Sequence, residues 1–129
     1  MAELFMIALG GSIGALSRYA MAGWVQNISQ SGEFPYGTLS VNLLGAFVIG
    51  VLWALSERFM IPLHIREFLF AGLLGGFTTF STFCLENLNL IRINDWKLVV
   101  VNIGISNIGG IFFAAFGFII AGYLLNIKG

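Results

Sequence analysis

Charge is scarce in this sequence. Only 9% of its 129 residues are Asp, Glu, Lys or Arg, against about 25% in a typical soluble domain. So few charges cannot cover a water-facing surface, which excludes a soluble enzyme and a disordered chain. Six basic residues are matched by six acidic ones. No excess is left to attract an anionic polymer, so no nucleic-acid partner is expected. Cysteine is nearly absent. The single Cys84 excludes a disulfide framework and a cysteine-based zinc site within one chain. It reads as a small buried apolar residue. The two prolines, Pro35 and Pro62, fall outside the long apolar runs, where they break no helix. Catalytic motifs are missing too: there is no HExxH, P-loop or GxSxG, and no two carboxylates share an apolar run. The chain is not read as an enzyme.

What is present is apolar sequence, 58% of the residues. A bilayer-crossing helix needs about 20 mostly apolar residues. Four runs qualify, at about 4–25, 36–55, 68–91 and 98–126. They predict an all-α membrane protein with one four-span domain. Continuous apolar runs fit helices, not the alternation of a barrel. The first run lacks a basic amino-terminal region, its first charge being Glu3. It therefore reads as a retained span and not a cleaved signal peptide. The connectors are short, 26–35, 56–67 and 92–97, and His64 lies in the second. Trp24 and Trp96 stand at span ends, as interfacial aromatics do.

Orientation follows the Lys/Arg bias of the connectors. One side holds Arg58, Arg66 and Lys128; the other holds Arg92 and Lys97, with Arg18 if it snorkels that way. The bias is nearly nil. Either a few charges happen to balance, or the protein inserts both ways and pairs with its inverted self. Four helices fill their own centre with side chains, so a pathway is expected between subunits. Small residues support close packing: Gly10/Gly14, Gly72/Gly76 and the similar Gly110/Ala114.

Polar residues in spans are the informative ones, because burying them is costly. Arg18 lies well inside the first span; it either snorkels to the interface or attracts anions at a vestibule. Glu86 is nearer an end, interfacial or paired with a cation. Asn42 sits mid-span one turn after Thr38, and its amide either binds another helix or donates to a passing anion. The third span carries Gly75-Gly76-Phe77-Thr78-Thr79-Phe80-Ser81-Thr82-Phe83, a poor regular helix. A break there frees backbone carbonyls, which are hard oxygen ligands suited to a cation such as Na⁺. The alternative is a kink whose carbonyls are satisfied by the hydroxyls. Phe80 and Phe83 share a helical face, and their positive ring edges can hold a small anion. In the fourth span Asn102 and Ser106 are one turn apart and extend a polar stripe, with Asn107 on an adjoining face.

These motifs resemble the Fluc/CrcB family of fluoride channels. The resemblance spans nearly the whole chain. It rests on Gly10-Gly11-Ser12-Ile13-Gly14-Ala15-Leu16-Ser17-Arg18-Tyr19, on Gly37-Thr38-Leu39-Ser40-Val41-Asn42-Leu43-Leu44-Gly45, and on the run from Gly72 to Phe83. The resemblance implies a passive fluoride channel in a bacterial inner membrane, exporting cytoplasmic fluoride for fluoride resistance. It implies an antiparallel, dual-topology homodimer with two pores and a broken third helix near Gly75–Thr79. It also implies a structural Na⁺ at the dimer centre, held by the carbonyls of Gly75 and Thr78. Phe80 and Phe83 would form the aromatic box, and Asn42 would donate to fluoride. Ser81, Thr82, Thr38 and Ser106 would add hydroxyls, with Arg18 and Glu86 in a vestibule or ion pair. The fourth span departs from the family's hydroxyl ladder: Asn102, Ser106, Gly110 and Ala114 offer only one hydroxyl.

Two rivals stand beside this reading. A small multidrug exporter needs a deeply buried acidic residue, and the first span offers only Glu3 at its start. A non-transporting membrane assembly subunit needs the glycines but neither Asn42 nor the Phe80/Phe83 pair.

Overall fold

The computed structural model describes residues 1–30 and 32–126. Ser31 of the first connector and Lys128 of the charge balance lie outside them. Among the described residues every regular element is helical. The order is α1 (Ala2–Ser29), α2 (Tyr36–Arg58), α3 (Leu63–Glu67), a π-helical stretch (Phe68–Leu74), α4 (Gly75–Phe77), α5 (Phe80–Arg92), α6 (Trp96–Gly104), a second π-helical stretch (Ile105–Gly109) and α7 (Gly110–Leu124). Four stretches are long and apolar enough to cross a membrane: Ala2–Ser29, Tyr36–Arg58, Leu63–Arg92 and Trp96–Leu124. Helices answer the bilayer's demand that each backbone polar group be satisfied internally.

The helices outrun the limits set by hydropathy. Residues 26–29 complete α1, which stops at Gln30 in the left-handed region (φ 48°). Residues 56–58 complete α2. The second connector shrinks to residues 59–62, because α3 starts at Leu63 and carries His64, exposed, in its first turn. Pro62 stands just before that turn, where a missing N–H costs nothing. Beyond α5, Asn94 takes the left-handed φ of 59° that asparagine tolerates. Asp95 then caps α6, its Oδ1 accepting from the Leu98 amide at 3.1 Å. Hydropathy marks the apolar length; capping chemistry marks the ends.

Packing is by close backbone approach. In lipid, apolar side chains gain little from meeting one another, so small residues carry helix contact. The glycines of α1 meet those of the third span. A Cβ on Gly72 would lie 2.8 Å from the Ile7 carbonyl oxygen, and one on Gly76 2.6 Å from that of Gly11. In α2, Gly50 rests on the Ala114 carbonyl of α7, and Gly117 of α7 rests on the Phe47 carbonyl. Gly110 faces open space within the chain, so of the Gly110/Ala114 pair only Ala114 is used here. Glycines thus cement α1 to the first half of the third span, α2 to α7, and, through Gly37 on the Ala22 carbonyl, α2 to α1. The second half, α5, lies outside all three.

Candidate functional site

Two residues interrupt the third span. Thr78 (φ −83°, ψ 155°) and Thr79 (φ −146°, ψ 123°) are extended between α4 and α5. Gly75 itself keeps helical angles (φ −61°, ψ −36°). An extended segment loses helical hydrogen bonds, and at membrane depth those groups need other partners. Asn42 of α2 supplies two. Its Nδ2 donates to the Thr79 carbonyl at 3.0 Å, and its Oδ1 accepts from the Thr79 amide at 2.8 Å. One side-chain amide thus clasps both backbone groups of a single residue. The Thr79 hydroxyl caps α5, accepting from the Thr82 amide at 3.2 Å. The same hydroxyl donates to Thr82 Oγ1 at 3.1 Å. Arg18 reaches across from α1, its Nε donating to the Gly76 carbonyl at 3.0 Å. The Thr78 hydroxyl turns back to the Leu74 carbonyl at 2.9 Å. Among the described residues no hydrogen bond reaches the carbonyls of Gly75 or Thr78. Unpaired backbone oxygens are the donor chemistry a hard cation takes, so these two fit Na⁺.

A cavity of about 350 Å³ opens beside the interruption, lined by Asn42, Thr78, Thr79, Phe80, Phe83 and Ser106 among others. The Phe80 and Phe83 rings stand 5.7 Å apart between centroids, tilted by 35°. Phe80 is 75% exposed within one chain, so its outer face is free for a neighbour. A second cavity, about 800 Å³, is bordered by Arg18, Gln26, Thr38, Thr82 and Glu86. Thr79 lines both cavities. Glu86 takes its hydrogen bond from the Thr38 hydroxyl and not from Arg18. Its other carboxylate oxygen, Oε2, is buried without a partner among the described residues.

The fold therefore gathers Asn42, Phe80, Phe83 and Ser106 around one space, and Arg18, Thr38, Thr82 and Glu86 around another. Ser81 is exposed and lines neither of these two cavities, its hydroxyl 3.5 Å from that of Thr79. Three residues escaped the sequence reading. Thr79 was visible only as one hydroxyl among four. Asn87, 7% exposed, is masked by polar neighbours that make the end of the span look interfacial. Gln26 was placed in a connector. It clasps the chain after α1, donating to the Phe34 carbonyl and accepting from the Gly37 amide, both at 3.0 Å.

The model of the family described as CrcB-like protein, Camphor Resistance (CrcB), matches residues 5–118. The chain belongs to the CrcB family. Three relatives of this CrcB chain carry the name fluoride-specific ion channel FluC. That of Parabacteroides distasonis is 38% identical over 127 residues, covering 98% of each chain. That of Desulforapulum autotrophicum is 43% identical over 125 residues, 96% of this chain and 95% of its own. That of Legionella pneumophila strain Paris is 42% identical over 125 residues, 96% and 92% of the two chains. The CrcB match takes in all but the first residues of the first span, the second and third spans whole, the interruption between α4 and α5, and most of the fourth span.

Proposed function

We propose that this chain is a passive, fluoride-selective channel that works as an antiparallel homodimer with two pores. It exports cytoplasmic fluoride across a bacterial inner membrane and so confers fluoride resistance. The observation that carries the reading is the cavity where Phe80, Phe83, Asn42 and the extended Thr79 meet. The relatives' shared name supports the choice of ion. Fluoride is small and strongly hydrated, so a path must replace its water with donors. One Asn42 Nδ2 hydrogen is spent on Thr79; an amide carries two, and the second is available to the cavity. Thr82 receives the Thr79 hydroxyl hydrogen, which leaves its own O–H free at the wider cavity. Ser81, exposed beside Phe80, adds a hydroxyl near the path, while Thr38 has given its hydrogen to Glu86 and borders the path with an oxygen. The edges of Phe80 and Phe83 add weak positive potential, and low-dielectric surroundings strengthen each contact.

Arg18 and Glu86 border the wider cavity, which serves as the vestibule. Arg18 draws anions while its Nε holds the Gly76 carbonyl. Gly75 and Thr78 would hold a structural Na⁺ by their carbonyls, contributed by both copies. That ion supplies a fixed positive charge at the dimer centre. The exposed outer face of Phe80 is where the second copy completes the wall.

The test is fluoride efflux from liposomes holding the purified protein, read with a fluoride electrode, with chloride as control. Fast fluoride release without chloride release is expected, abolished or much slowed in Phe80→Ile and Asn42→Asp. Folded, Na⁺-supplied protein that releases no fluoride would sink the channel and leave the assembly-subunit reading.

A further inference from the structure

A second polar system lies between α5 and the fourth span. The Ser106 hydroxyl donates to Asn102 Oδ1 at 3.2 Å. Asn102 Nδ2 donates to Asn87 Oδ1 at 3.3 Å. Asn87 Nδ2 donates to the Phe83 carbonyl at 2.8 Å. Asn102 is 1% exposed and Asn87 7%, with Leu90 and Val99 also buried nearby in sequence at 2% and 4%. The two amides are dry, so each depends on its neighbour, while Ser106 is half-buried at the cavity it lines.

The direction of this chain follows from its last member. A backbone carbonyl only accepts. Asn87 must therefore turn its NH₂ toward Phe83, which turns its oxygen toward Asn102. Asn102 must answer with its own NH₂, which leaves its oxygen toward Ser106. Ser106 has to donate. Reversing any amide would set oxygen against oxygen in a dry place, an unsatisfied pairing that costs about 1–3 kcal/mol. The Ser106 hydrogen is thus committed away from the cavity it lines, and what it offers an anion there is a lone pair.

The same chain bears on the aromatic pair. The two extended residues uncouple α5 from the helix before it, so its rotation depends on side-chain ties. Asn42 holds its start at Thr79. Asn102 holds it through Asn87, one turn past Phe83 and on the same face. Fixing Asn87 fixes where the Phe83 ring points.

We infer that Asn102, acting through Asn87, is the positioning residue for Phe83, and that Ser106 closes this chain and does not donate to the transported ion. The inference rests on the fluoride-channel reading. It replaces a hydroxyl ladder on the fourth span with a clamp.

The experiment measures efflux rate per active liposome and the fluoride-to-chloride rate ratio for Ser106→Ala, Ser106→Thr, Asn102→Leu and the wild type. Rate per active liposome and the ratio do not change when a variant merely folds less well. Ser106→Thr, which keeps the hydroxyl, should stay within about twofold of wild type, and Ser106→Ala, which leaves Asn102 Oδ1 without its donor, should lose less than Asn102→Leu does. Asn102→Leu should lose roughly tenfold in fluoride rate, the effect of one unpaired buried amide, and should lower the ratio. A larger loss in Ser106→Ala than in Asn102→Leu, or an unchanged rate and ratio in Asn102→Leu, would overturn the inference. Melting temperatures test the chain without flux. Asn87→Leu/Asn102→Leu should fall no further than the worse single variant, because both cut one chain. Additive falls would refute it. A folded wild type that moves no fluoride defeats the channel reading, and the positioning role with it, whatever the melting cycle shows.

Discussion

The two halves of the third span are held by different means. The first half lies against α1 chiefly through glycines, with Gly72 and Gly76 against the backbone of Ile7 and Gly11 and one side-chain bond from Arg18 to the Gly76 carbonyl. The second half, α5, is held by amides and hydroxyls: Asn42 on Thr79, Thr38 on Glu86, and Asn102 on Asn87. Glycine contact is tight but weakly directional; it sets how near two helices come. A hydrogen bond is directional; it sets how a helix is turned about its axis. The half that carries Phe80 and Phe83 is the half whose rotation several side-chain bonds specify. An anion path needs particular ring edges facing inward, whereas a scaffold needs only contact.

That contrast can be broken first on the glycine side. Gly50→Leu, where glycines cement α2 to α7, drives a side chain into the Ala114 carbonyl, which cannot yield as a flexible side chain would. Overpacking costs about 1–3 kcal/mol even where neighbours adjust, so the expected result is loss of monodisperse protein in size-exclusion chromatography. Asn42→Leu comes next. It strands the Thr79 amide and carbonyl together, at about 1–3 kcal/mol for each unpaired group. A clear drop in melting temperature and loss of fluoride efflux should follow. A fully stable, fully active Asn42→Leu would show that α5 does not depend on its polar ties. The smallest effect is expected at Gln26→Ala. It removes a clasp on the chain after α1, worth about 1 kcal/mol in a typical case. Amide exchange should speed up at Gly37, whose N–H loses its acceptor, and leave α5 unchanged.

Much of the architecture was legible because lipid makes simple demands. Apolar length predicts a span whatever it packs against, and the four runs correspond to the four membrane-length stretches. Their ends were less legible, since residues such as Ser29 and Arg58 are polar yet helical. The polar residues drew notice for the right reason, the cost of burial, but their partners were not visible. Arg18 bonds a carbonyl 58 residues away, and Asn42 one 37 residues away. Asn87 went unnoticed because neither spacing nor hydropathy distinguishes it from exposed Asn89.

By itself, then, the sequence determined the medium, the element type and the short set of side chains that do not belong in hydrocarbon. Hydropathy and residue type are local properties, and a bilayer reads them locally. Only the tertiary structure decided which donors are already spent. Asn42 keeps one amide hydrogen for the cavity, while Ser106 has given its only one to Asn102. Both residues look like donors in a list of residue types. Their difference arises because a hydrogen bond satisfied across helices is no longer on offer, and helix-to-helix partners exist only once the chain is folded.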